Sequence, residues 1–387
     1  MFNLEQLLIS LNTPLAIALL SLVGAAVLYQ IYFYLRYINQ GGKSSKVILK
    51  NTTPDYPPVS VIICARNEYE NLQDYLAVIL SQDYPCYEVI VVDDSSDDET
   101  DLLLERLSRQ YANLYHTFVP RGARILSSKK LALTIGIKAA KYEHLLLTDA
   151  DCRPESKNWI REMMQGFANE NTEVVVGFSP YFEKKGLLNH IISYDTLFSG
   201  LQYMGMARSG HPYMGVGRNL AYKRSTFFNI GGFKTLINNL AGDDDLFVNR
   251  VATRKNTTVV CNKDSLVWSL PKTTWHEWLH QKHRHLSVSP KYRFGSKLRL
   301  TIEPMTRALL YLSLLACILW GGYVVTAVAV ALFLLRCLVQ RCVINAATHR
   351  LGLRKIGIGL WIYDIIMPLI TLYILFTQRF KKRALYW

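Results

Sequence analysis

Short apolar runs alternate with stretches of helical periodicity through the middle of this chain, and long unbroken apolar runs stand at both ends. In the middle, the β-branched and aliphatic runs 59–64, 88–92, 114–119, 144–147 and 174–177 predict strands. Between them, 71–81, 98–111, 130–140 and 156–168 carry the three-and-four spacing of helices with one apolar face. Such alternation predicts an α/β domain, a mostly parallel sheet with helices on both faces. Beyond residue 177 the pattern loosens into helices and loops, and 274–286 reads as a helix leading toward the terminal apolar runs.

The first apolar run, 15–35, contains no Lys or Arg and is long enough to cross a bilayer. No basic residue precedes Arg36, so the run lacks the basic start of a cleaved signal and reads as an uncleaved anchor over 1–37. Arg36, Lys43, Lys46 and Lys50 follow it, which by the positive-inside rule puts the bulk of the chain in the cytoplasm. A stiff linker, 38–57, then opens the catalytic region at 58–290. Residues 291–304 form a basic approach segment expected at the membrane interface, and 305–378 the C-terminal spans. Gly321-Gly322 divides the block 308–335, so a hairpin (305–322 and 323–342) plus a last span at 356–377 gives three crossings there. Basic clusters lie on both sides of the last span, a conflict that an interfacial stretch at 336–352 would relieve. A basic tail, 379–387, ends the chain.

The net charge of +14, from 44 Lys and Arg against 30 Asp and Glu, then reads as attraction to anionic lipid headgroups. No nucleic-acid module accompanies it, so nucleic acid is not an expected partner. The seven cysteines show neither paired metal spacing nor disulfide-scaffold spacing, and are expected as reduced thiols.

Four polar clusters interrupt the pattern in fixed order: Asp93-Asp94-Ser95-Ser96, Asp149-Ala150-Asp151, Asp243-Asp244-Asp245-Leu246 and Gln281-Lys282-His283-Arg284-His285. The first two follow predicted strands, where an open α/β sheet places its ligand crevice. With Cys64-Ala65-Arg66-Asn67-Glu68, the run Lys129–Gly136 and Gly217-Arg218-Asn219-Leu220-Ala221-Tyr222, residues 58–290 resemble the membrane-bound family 2 glycosyltransferases of GT-A fold. That group holds polysaccharide synthases and, nearby, the ceramide glucosyltransferases. The resemblance implies a nucleotide-sugar-binding α/β domain with transmembrane helices at both ends. It also implies inverting transfer, of hexosyl or N-acetylhexosaminyl type, from a donor that is commonly a UDP-sugar. Where the family's last motif carries Trp, this chain has His285, which favours a single transfer to a lipid or lipid-linked glycan over processive polysaccharide synthesis.

Carried onto these residues, the resemblance has Asp93 and Asp94 contact the base and ribose, and Glu68 close the nucleotide pocket. Lys129, Gln281 and Arg284 would meet the diphosphate, for which a guanidinium fork is suited. Asp149 and Asp151, two residues apart at a strand end, would hold Mg²⁺ or Mn²⁺, with Asp149 also within reach of the ribose. The general base falls in the acidic run. Counting back from Leu246 makes it Asp243 and reading the acid pair forward makes it Asp244, the latter favoured slightly. One rival motif, His276-Glu277-Trp278-Leu279-His280, has the His-Glu-x-x-His spacing of a membrane zinc metalloprotease. That reading leaves the acidic clusters at 93, 149 and 243 unexplained. The expected location is a membrane, the bacterial inner membrane, with the catalytic region on its cytoplasmic face.

Overall fold

The computed structural model describes residues 13–45, 56–120, 128–236, 241–357 and 359–378. Residues 46–55 of the expected linker and the basic tail lie outside the described residues. Seven strands form one sheet in the order β3-β2-β1-β4-β7-β6-β8. These are β1 (Val59–Ala65), β2 (Tyr87–Asp93), β3 (Leu114–Phe118), β4 (His144–Asp149), β6 (Val174–Val176), β7 (Leu220–Lys223) and β8 (Thr257–Val259). A two-stranded ribbon pairs β5 (Cys152–Pro154) with β9 (Val267–Ser269).

Side-chain alternation along β1, β2 and β4 builds two cores. Val61, Ile63, Val89, Val91 and Leu146 face α2 (Tyr69–Leu80), α3 (Thr100–Gln110) and α5 (Trp159–Gln165). Ile62, Ile90, Val92, Leu145 and Leu147 face α4 (Ser128–Ala139) and α6 (Leu187–Arg208). Helices therefore cover both faces, as the alternation predicts. Gly136 lets α4 lie close, since a Cβ there would stand 2.7 Å from Ile62 Cγ2. The parallel run β3-β2-β1-β4 is then interrupted: β7 pairs antiparallel with both β4 and β6. The sequence pattern did not predict this four-residue strand, nor the ribbon.

Among the described residues, four helices are long and apolar enough to cross a membrane. The first, α1 (Pro14–Phe33), continues through a π-helical turn at Tyr34–Ile38 as far as Gly41. The others follow the two short helices α7 (Arg224–Asn229) and α8 (Asp245–Val251) and the helix α9 (Trp275–Leu286). They are α10 (Phe294–Trp320), α11 (Gly322–Arg350) and α12 (Gly359–Gln378). The hairpin expected at Gly321-Gly322 is present, with Gly322 at φ +71°. The stretch expected as interfacial at 291–304 mostly forms the first turns of α10, and 336–352 continues α11.

Charged residues inside this bundle explain the longer helices. Arg336 and Asp364 pair at 2.7 Å with side chains 1% exposed, and Arg307 joins Asp364 at 3.2 Å and Glu303 at 2.6 Å. Gln340 and the Tyr311 hydroxyl donate to Asp364, and Gln30 accepts from Arg336 at 3.0 Å. Paired in this way, the charges can be buried without ending the helices.

Candidate active site

The carboxyl ends of β1, β2 and β4 lie in register, with Ala65 opposite Asp93 and Cys64 opposite Asp149. The loops leaving β1 and β2 brace each other. Asn67 takes a left-handed φ of 55°, its N–H donates to Ser96 Oγ at 2.9 Å, and its side chain accepts from Asp97 N–H at 2.8 Å. Asp93 is buried, and its Oδ1 accepts from the Ser96 N–H at 3.1 Å and from the Ser96 hydroxyl. Asp94, also buried, donates its N–H to the Ala65 carbonyl at 2.8 Å. Glu68 is half-buried at the start of α2 and accepts from Asn71 at 2.5 Å. Burial, with Asp151 and Asp149 nearby, raises its pKa.

Asp149 closes β4 and Lys129 opens α4, and the fold brings Lys129 Nζ to 2.8 Å from Asp149 Oδ1. The same ammonium stands 3.8 Å from Asp243 Oδ2. Burial opposes the charge of Asp149, but Lys129, Arg218 and Arg284 outweigh it and hold the carboxyl below its ordinary range. Burial opposes the charge of Lys129 too, and Asp149 and Asp243 overcome it. Lys130 donates to the Ala241 carbonyl at 2.9 Å, so adjacent lysines hold both Asp243 and the turn that precedes it.

Asp151 accepts from the Ser269 hydroxyl at 3.1 Å, and burial together with Asp149 pushes its pKa up. Two carboxylates that raise proton affinity at one of them form a donor set suited to a hard divalent cation. Among the described residues no three acidic, His or Cys side chains gather into a complete cation cage. Phosphate oxygens and water would have to complete the coordination, as is usual for Mg²⁺.

The acidic run divides into three environments. Asp243 faces Lys129. Asp244 caps α8, its Oδ1 accepting from Asp245 N–H and its Oδ2 from Gly217 N–H, both at 2.7 Å. Burial and then Asp243 raise its pKa. Asp245 is buried, accepting from the Tyr292 hydroxyl at 2.8 Å, and burial followed by Asp244 pushes it up to about 8.

By holding the Gly217 amide, Asp244 also sets the turn that presents Arg218. The neighbouring Asn219 is fully buried, donating to the Phe178 and Ser265 carbonyls and accepting from the Trp159 indole at 3.0 Å. Between these fixed points the Arg218 guanidinium lies 4.3 Å from the centre of the Tyr181 ring. Burial works against its charge, and Tyr181, Cys152, Asp151 and Asp149 hold it protonated. Its Nη1 is buried without a hydrogen-bond partner among the described residues. Sequence reasoning gave Arg218 and Tyr181 no role. The only signal was the Gly-Arg-Asn segment itself.

On α9, Gln281 donates to the Tyr181 hydroxyl at 3.1 Å, and Lys282 pairs with Asp195 of α6 at 2.8 Å. Arg284 acts electrostatically on Asp149, and His285 lies within the electrostatic reach of Arg284, Lys282, Arg218 and Lys129. The expected residues of the second, third and fourth clusters thus converge with Glu68 on one end of the sheet, while Asp93 and Asp94 line the adjacent strand end. The rival motif is placed otherwise: Glu277 forms a capping box with Thr274 on an exposed helix start.

The sequence profile described as glycosyl transferase family 21 matches residues 16–387. The poly-β-1,6-N-acetyl-D-glucosamine synthase of Staphylococcus epidermidis is 29% identical over 121 residues, 31% of this chain and 28% of that one. The β-monoglucosyldiacylglycerol synthase of Synechocystis is 28% identical over 153 residues, 39% of this chain and 30% of that one. Both alignments thus span less than a third of the relative's length. Among solved structures, the mannosyltransferase PcManGT of Pyrobaculum calidifontis, in complex with GDP-Man and Mn²⁺, superposes with TM-score 0.55 at 21% identity. That match covers 87% of this chain and 98% of the mannosyltransferase, and it shows the fold, GT-A.

Proposed function

This chain belongs to glycosyl transferase family 21, and we propose that it moves one sugar, with inversion, from a nucleotide-sugar donor to a lipid or lipid-linked acceptor. The observation that carries this reading is the cluster at the strand ends: Lys129, Arg218 and Arg284 set among Asp149, Asp151 and Asp243. It is a place for a diphosphate, with both signs of charge ready.

The roles follow from the partners each side chain already has. Asp94 and Asp93 face the nucleoside, and Glu68 borders it. Mg²⁺ or Mn²⁺ held by Asp149 and Asp151 would neutralise the departing diphosphate. Arg218 offers that diphosphate its unpartnered Nη1, with Lys129 and Arg284 beside it and Gln281 steadying Tyr181 beneath. Asp243 is the base we assign, because both Asp244 oxygens accept backbone N–H groups. As the acceptor oxygen bonds to the anomeric carbon, its proton passes to Asp243 and the bond to the phosphate oxygen breaks with both electrons.

We place the catalytic unit at 58–290, on the cytoplasmic face of a bacterial inner membrane, from the basic residues that follow the first span. The donor is a UDP-sugar by family resemblance. A processive polysaccharide product is the second reading, favoured by the name of the staphylococcal relative, and His285 at the position of the family Trp weighs against it. Radiolabelled transfer from a panel of nucleotide sugars into membrane extract tests the proposal. One labelled lipid species supports it, a ladder of lengths favours the polymer, and no transfer from any donor would sink both.

A further inference from the structure

The last helix, α12, meets the catalytic region at both of its ends. At the end of α11, Arg350 bonds the Asn39 side chain at 3.2 Å, beside the exit of the first span, and the loop to α12 leaves from there. Near the start of α12, the Tyr363 ring centre lies 5.2 Å from that of Tyr194 on α6. Thr377, in its last turn, stands 3.4 Å from His283 Nε2 on α9, which comes before the chain turns into α10. A helix of 20 residues is about 30 Å long, the thickness of a bilayer's hydrocarbon layer. Crossing the membrane would carry Thr377 to the face opposite α9. Contact with α11 comes in the first two turns, where the Arg341 guanidinium lies 6.0 Å from the Trp361 ring centre and Arg336 pairs with Asp364.

The two faces of α12 differ. Leu360, Asp364, Met367 and Ile374 are buried against the protein, while Ile362, Ile365, Leu369, Leu372, Tyr373 and Phe376 are exposed. The exposed set recurs at three- and four-residue steps and makes one apolar stripe along the helix. A stripe of that length marks a surface that is covered by something apolar. Basic residues flank it on both sides in the sequence: Arg350, Arg354 and Lys355 before it, and Arg379, Lys381, Lys382 and Arg383 after it. A crossing helix would leave one of these clusters on the wrong side by the positive-inside rule, whereas a helix lying along one face leaves neither there.

We propose that α12 lies in the plane of the membrane without crossing it, with its exposed stripe docked in the acyl layer of the leaflet next to the catalytic region. The chain then crosses three times, through α1, α10 and α11, and not four times as its hydropathy reads. Its end returns to the side of the catalytic region, and both basic clusters face the headgroups of one leaflet. Because the buried face of α12 meets α9, the helix that carries Gln281 and Arg284 rests on a floor set by the bilayer surface. This placement holds whichever sugar and acceptor the protein uses.

The test uses the full chain in phosphatidylcholine–phosphatidylglycerol vesicles. A nitroxide is placed in turn at positions 362, 365, 369, 372 and 376, on a ketone-bearing amino acid that leaves the seven native cysteines in place. Its depth is read from its relative exposure to oxygen and to a water-soluble nickel complex. An in-plane helix gives one shallow depth at all five positions. A crossing helix gives a steady drift, about 16 Å between 365 and 376 at 1.5 Å per residue, and that drift would overturn the proposal. Low oxygen exposure with spectral broadening at all five would overturn it too, since a second copy would then cover the stripe. Sidedness is a separate measurement, made in inside-out vesicles from a bacterial host with a fluorophore that impermeant dithionite quenches. Fluorophores at Lys157 in the catalytic region and at Lys382 should be quenched alike, and one at Trp320 in the hairpin should be spared. Quenching at Lys157 with protection at Lys382 would place the two on opposite sides and end the in-plane assignment.

Discussion

The charged group between the spanning helices and the one at the strand ends are both paired internally, but they open to solvent to different degrees. Between the spanning helices, Arg336 grips Asp364 through both guanidinium nitrogens, and Gln340, Tyr311 and Arg307 converge on the same carboxylate. At the strand ends, Lys129 and Asp149 pair at 2.8 Å with side chains 26% and 30% exposed, Arg218 keeps a nitrogen without a partner among the described residues, and burial and then Asp149 push Asp151 toward its neutral form. A network sealed from solvent holds helices in register and is out of a ligand's reach, even though Arg307 Nε, Arg336 Nε and Glu303 Oε1 lack a hydrogen-bond partner among the described residues. A network left open stores unmet charge, and unmet charge is what a diphosphate and a cation would satisfy. Access to solvent thus separates scaffold from chemistry, since the Arg336 and Asp364 side chains are only 1% exposed.

Removing what the open cluster is built to hold should give the largest effect. Excess chelator should abolish transfer and Mg²⁺ or Mn²⁺ should restore it, with Asp151→Asn losing metal-dependent nucleotide binding; full activity in chelator would end the metal role. Next, Asp243→Asn keeps the shape of the base without its basicity. Transfer should drop by about 10²–10⁴-fold with nucleotide affinity nearly unchanged, while a drop confined to Asp244→Asn would move the base by one residue.

The closed cluster should respond in stability instead. Asp364→Leu strands Arg336 in the bundle and should cost about 3–5 kcal/mol, seen as a lower Tm, with Arg336→Met in the same chain recovering part of it. If the single change leaves Tm alone, the network is not a lock. A smaller effect concerns Asp245. Its folded pKa of about 8 lies above the ordinary carboxylate value, so the folded state holds this proton more tightly than the unfolded chain. Its contribution is complete at pH values below the ordinary carboxylate pKa and is lost as pH rises toward about 8. Asp245→Asn should flatten that part of the Tm-against-pH curve, and a slope equal to wild type would contradict the assignment. At the bottom of the scale, His280→Ala should change neither nucleotide binding nor metal content; a stoichiometric zinc that this substitution removes would revive the rival motif.

Much of this was legible in sequence because it is local. A buried run ending in Asp149 or Asp93 carries both strand and carboxylate within a few residues. The spans were legible for the same reason, up to their polar ends. What escaped depends on partners distant in the chain. Arg336 read as the end of an apolar block because hydropathy weighs each residue alone, and Asp364 and Gln30, which permit its burial, lie on other helices. Arg218 had no visible role until Tyr181 and Asp151 came beside it. The strand β7 was hidden because it is four residues long and pairs antiparallel inside an otherwise parallel sheet.

The crossing of the first span with α6 has a consequence for what can be glycosylated. A Cβ on Gly41 would run into the Leu201 carbonyl and one on Gly205 into the Tyr37 carbonyl, so the two backbones touch with no side chain between them. Arg36 adds a hydrogen bond to the Ser209 hydroxyl at 2.8 Å. A contact of backbone on backbone has no slack to slide or tilt. The sheet is therefore carried at a set height above the spanning helices, and under the proposed function the molecule would work as a depth gauge: a hydroxyl would be reached or missed according to how far its own anchor lets it stand out of the membrane.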